Sequence, residues 1–175
     1  QVSGGRSTSQ ELALLSELDP RDFGAACLRL RRRGWLGGSE RAGETRLLLA
    51  IHRPVLGVDA LRAAHARRAL LIERAGPGQH PERTAASVAL HRFCALPSQA
   101  LLFQGTARAL VAALTLLRER GRPEASLELI DHARTACTLL GEDLVRVAPE
   151  LIIERARAWC SIGQTEPALR EVKRS

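Results

Sequence analysis

A chain of 175 residues is long enough for one hydrophobic core and too short for two ordinary domains, and 45% hydrophobic content excludes a wholly disordered chain. Leu and Ala dominate the apolar residues, with three Phe, two Trp and no Tyr or Met, a composition that favours helices over sheets. The net charge of +7 comes almost wholly from arginine, since Lys173 is the one lysine; a positive surface can attract nucleic acid, an acidic membrane or an acidic protein, and the bland reading is a GC-rich genome that favours arginine codons.

Residues 1–10 are polar and glycine-rich and read as a flexible N-terminal segment; 11–175 read as a single helical domain. A first helix is expected over Glu11–Leu18, followed by Asp19-Pro20, which suits an N-cap with proline at N1. The next helix, Arg21–Arg33, carries Phe23, Ala26, Cys27 and Leu30 along one side and stops at Gly34 or Gly37-Gly38. Another is expected between Gly43 and Ile51, halted by Pro54. From Val58 to Arg74, residues Leu61, Ala64, His65, Arg68, Leu71 and Ile72 recur at helical spacing. The stretch Gly76-Pro77-Gly78-Gln79-His80-Pro81 breaks the pattern and reads as a hinge.

Helices are next expected over Glu82–Ala95 and over Ser98–Arg120, the second kinked or divided at Gly105. Gly121 then separates a stripe of Leu110, Leu114 and Leu117 from one of Leu127, Ile130, Ala133, Cys137 and Leu140, and Gly141 closes the second helix. Leu144, Ala148, Leu151, Ile152, Ala156 and Trp159 repeat the plan, followed by Gly163 and then Ala168, Leu169 and Val172. Such stripes cannot stay in water, and short connections make antiparallel neighbours the simplest way to cover them.

Leu110, Leu114, Leu117, Gly121, Ser126, Ile130 and Ala133, and then Ile152, Ala156, Trp159, Gly163, Ala168 and Val172, resemble the tetratricopeptide repeat over Thr106–Ser175. The resemblance implies an all-α fold of antiparallel helical hairpins stacked as an array, with a closed helical bundle as the alternative. The match is diverged: Gly121 and Gly163 are 42 residues apart, where the family repeats at about 34. The family's leucine-glycine pair is replaced by Ala113-Leu114 and by Arg155-Ala156.

The densest charge is Arg29, Arg31, Arg32 and Arg33, beside Trp35; arginine forks suit phosphates or carboxylates, and a nearby indole can stack or fill a partner's pocket. The bland reading is a solvated helix end. Arg62, Arg67, Arg68 and Arg74 form a second, looser basic face, and Trp159 is expected either to pack in its hairpin or to anchor a partner.

The five histidines make no His-x-x-x-His or His-Glu-x-x-His element, so core or surface roles are expected and no metal. Four widely spaced cysteines, without a Cys-x-x-Cys pair, suit reduced thiols buried among helices in an intracellular setting. No Ser or Cys stands beside an evident base, and the glycine-rich elements lack the lysine and hydroxyl residue of a phosphate loop, so no catalytic residue and no cofactor is expected. No stretch is apolar enough to span a bilayer. A chain opening at Gln1 rather than methionine is expected to be a piece of a longer protein. The function expected is a non-enzymatic protein-protein interaction adaptor or scaffold that docks a partner segment, protein or peptide, on a helical-repeat surface; the alternative is a basic nucleic-acid-associated regulatory domain.

Overall fold

The structure, a computed structural model, describes residues 6–8, 19–32, 36–37, 44–47 and 57–173. It divides into two compact units, Gln1–Val55 and Leu56–Ser175. The expected helix over Glu11–Leu18 lies outside the described residues.

In the first unit, α1 spans Pro20–Arg32 and begins as the sequence requires. Asp19 accepts a hydrogen bond from the Arg21 backbone N–H at 2.8 Å, which satisfies one of the open donors of the first turn. The unit also holds a small antiparallel sheet, formed by β1 (Arg6–Thr8), β2 (Leu36–Gly37) and β3 (Glu44–Leu47) in the order β1-β3-β2. Ser7 stands opposite Thr45, and Leu36 opposite Leu47. The helix expected between Gly43 and Ile51 is thus corrected to a central strand over Glu44–Leu47. Periodicity over so short a run cannot separate helix from strand, and partners on both edges supply the main-chain bonds that decide it.

Among the described residues of the second unit every element is helical, as the all-α expectation has it. They are α2 (Val58–Ala75), α3 (Pro81–Ala95), α4 (Phe103–Glu119), α5 (Pro123–Leu139), α6 (Leu144–Val147), α7 (Pro149–Ser161) and α8 (Thr165–Val172). Gly121, Gly141 and Gly163 adopt φ near +74°, and in each case the next N–H reaches back to the last turn, to the carbonyls of Leu117, Cys137 and Trp159. This repeated left-handed closure is why glycine ends the three helices.

Two boundaries differ from expectation. The helix foreseen from Ser98 starts only at Phe103 and runs unbroken through Gly105. Glu142 accepts from the Ser98 N–H at 3.1 Å and from Arg62 at 2.8 Å, and Arg62 also donates to the Leu96 carbonyl, so the connecting loop is held by tertiary bonds outside the helix. The stretch Leu144–Trp159 is cut at Ala148, whose φ of −151° and ψ of 68° leave the helical region. Pro149 is the cause, because the ring crowds the residue before it and removes an N–H.

Packing is compact. α3 lies against α2, α4 and α5, while α7 lies against α4, α5 and α8. Phe93, Phe103, Leu90, Leu110, Leu114, Leu117, Ile130, Leu151 and Ile152 fill the centre, with the Phe93 and Phe103 rings 5.1 Å apart. The expected stripes of α4 and α5 are buried, as is that of α7 apart from the half-buried Trp159; Leu71 and Ile72 on α2 are half-buried, and Leu169 and Val172 on α8 are exposed. The 76–81 segment is the turn between α2 and α3, inside the second unit, with Thr84 Oγ1 donating to the Pro77 carbonyl at 2.8 Å.

Candidate docking site

The arginines singled out from the sequence fall in both units. Arg29 is exposed on α1, which also carries Arg31 and Arg32, whereas Arg33 and Trp35 lie outside the described residues. Arg67 and Arg68 stand half-buried on α2. Trp159 is half-buried on α7, where the Arg155 guanidinium lies 5.9 Å from its ring centre. The indole therefore already has a cationic partner on its own helix.

Many charged side chains of the second unit form ties between elements. Arg62 pairs with Glu142, Arg118 with Glu154, Arg122 with Glu82, and Arg155 with Asp131 and Glu171. Glu154 is fully buried; Arg118 donates to it at 2.7 Å and Thr115 at 3.1 Å, which joins α4 to α7. A buried carboxylate persists only when its oxygens are satisfied in this way.

Three histidines meet between helices, His65 and His91 buried and His132 half-buried. His65 on α2, His91 on α3 and His132 on α5 have ring centres 5.1 to 6.2 Å apart. Nδ1 of His65 lies 2.9 Å from Nδ1 of His91, so one ring donates and the other accepts, which requires an uncharged acceptor ring. Burial lowers the pKa values from 6.5 to about 3 for His65, about 2 for His91 and about 4 for His132, aided by their neighbours' charges: Arg62 faces His65, and Arg68 faces the other two. The trio is neutral at ordinary pH. Among the described residues no group of three His, Cys, Asp or Glu side chains has the arrangement to hold a metal ion.

Cys94 and Cys137 are buried, and burial pushes both thiols up, Cys137 to about 12; Cys160 is exposed, contrary to the expectation of burial. None of the four cysteines is disulfide-bonded. Among the described residues no helix is long and apolar enough to cross a membrane.

The concave feature of the second unit is a groove of about 700 Å³ bounded by the end of α2, the outer face of α3 and the start of α4. Its walls are apolar or small, including Ile72, Ala85, Val88, Ala89, Leu102 and Ala109, and Gly105 keeps its floor open. The Glu73–Arg92 ion pair sits at the rim. A second recess of about 320 Å³ adjoins it, sharing Ile72 and Thr84, and is lined otherwise by Arg68, Gln79, His80, Arg83 and Ser87. Of the described residues expected from the sequence to bind a partner, Arg68 alone lines either hollow. The groove was missed because its alanines at 85, 89 and 109 read as ordinary helix formers; the spacing of Ala85, Val88 and Ala89 at three and four was the available signal.

No protein-family model, no curated protein and no solved structure matches this chain.

Proposed function

We propose that the chain is a non-enzymatic docking module whose groove over α2, α3 and α4 receives a short partner segment. The observation that carries this reading is the groove itself, an apolar-walled trough of about 700 Å³ next to a recess with two arginines. Apolar walls bind by excluding water from a complementary side chain, and the charged end fixes orientation. The occupant that fits is a protein segment bearing apolar side chains beside an acidic group. The hairpins α4–α5 and α7–α8 are read as a diverged tetratricopeptide-type pair, supported by the recurrent glycine closures and by α7 touching both α4 and α5. The reading involves no cofactor. That the arginines of this unit largely hold carboxylates of the same chain favours protein docking over nucleic-acid binding.

The test is selection of displayed twelve-residue segments against the full chain, repeated with Val88→Glu, a half-buried groove position. Selected segments should combine apolar and acidic residues and lose binding to the variant. Segments that bind both proteins equally would refute docking in this groove.

A further inference from the structure

The recess beside the groove has an uncommon lining. Arg68 comes from α2, Gln79 and His80 from the turn, and Arg83, Thr84 and Ser87 from the first turns of α3; Ile72 is the apolar member, and among the described residues no carboxylate lines it. Two guanidinium groups, an amide and the Ser87 hydroxyl face one hollow from three directions, the complement of an oxygen-rich anion, while the Thr84 hydroxyl is committed to the Pro77 carbonyl. The positive end of the α3 dipole adds to these side chains.

Arg83 decides which anion. It pairs with Glu128 of α5 at 2.8 Å, a contact in which both side chains are largely exposed. An exposed pair of this kind is weak and readily exchanged. A monoanionic carboxylate would replace Glu128 with its equal and gain little. A phosphate monoester carries close to two charges and three terminal oxygens, enough to draw Arg83 away while also engaging Arg68 and Ser87.

We propose that this recess takes a phosphorylated serine or threonine of the docked partner, with the neighbouring apolar side chains of that segment lying in the groove. The inference rests on the docking reading and adds that the partner is recognised in its phosphorylated state.

The experiment uses the full chain, isotope-labelled for NMR, with inorganic phosphate as one probe and a phosphoserine-centred peptide library with apolar flanks as the other. Phosphate should shift the signals of residues 79–87 saturably. Arg83→Gln should weaken phosphate binding about tenfold, the loss of one charge-assisted fork. Glu128→Gln, which frees Arg83 without touching the recess, should strengthen it several-fold. Both positions are exposed, so folding is preserved. Selected phosphopeptides should bind at least about tenfold more tightly than their unphosphorylated and glutamate forms.

Phosphate shifts elsewhere, or none, would overturn the inference, as would peptides indifferent to phosphorylation. Peptides that lose binding with Val88→Glu but not with Arg83→Gln would sink the recess while leaving the docking reading intact. Phosphate bound at residues 79–87, with phosphopeptides indifferent to Val88→Glu, would confirm an anion site but overturn both the seating of apolar flanks and docking in the groove.

Discussion

Acid should weaken the second unit well before its carboxylates titrate, because three imidazoles are held neutral between its helices. In the unfolded chain each histidine has a pKa near 6.5, and in the fold His65, His91 and His132 are lowered to about 3, 2 and 4. The unfolded state therefore binds more protons between pH 6.5 and the folded values, so stability is complete above pH 6.5 and falls as pH drops through that window. At pH 5.5 each histidine contributes a loss of roughly 1.4 kcal/mol, and the trio about 4 kcal/mol. That sum depends on the folded values lying well below 5.5, not on how far below. Against a typical total of roughly 5–15 kcal/mol it is a large share. The assay is urea unfolding followed by far-ultraviolet circular dichroism at steps from pH 8 to 5.5. His91→Asn should cut the slope of stability against pH by about one-third, whatever its effect on absolute stability. A flat profile, or a slope that His91→Asn leaves unchanged, would refute the buried neutral cluster.

Three other outcomes follow from the packing. Glu154→Ala should destabilise by about 3 kcal/mol in a denaturant melt, since it strands Arg118 in a half-buried position with Thr115 also unsatisfied; Glu154→Gln, whose carbonyl still accepts from Arg118 and whose amide can donate to the Thr115 hydroxyl, should cost less. Gly105→Ala should stabilise α4 by roughly 0.5–1 kcal/mol, because a methyl group there meets no neighbouring atom and glycine is a poor helix former; the same melt should register the gain. A thiol reagent should label Cys160 in the native protein, with Cys94 and Cys137 reacting only on unfolding, as mass mapping of the labelled peptides would show.

Local chemistry made much of the second unit readable. Gly121, Gly141 and Gly163 end helices because only glycine enters the left-handed turn cheaply, and Leu110, Leu114, Leu117, Ile130 and Ile152 are buried because their spacing forms one face. The Glu44–Leu47 strand and the late start of α4 were not readable, since each is set by partners far along the chain. The candidate site was mostly illegible for the same reason. Arg68 was visible as a basic residue, but its company with Arg83 and Ser87, and the groove next to them, arise only when α2, α3 and α4 pack.

The amino-acid sequence alone determined that this chain builds helices, where glycine and proline interrupt them, and which faces turn inward, because those preferences act within a few residues. Only the tertiary structure decided that three separated histidines pack ring to ring and that an apolar trough opens beside a basic recess. Such juxtapositions depend on helix crossings, and no local preference encodes which distant side chains a crossing brings together.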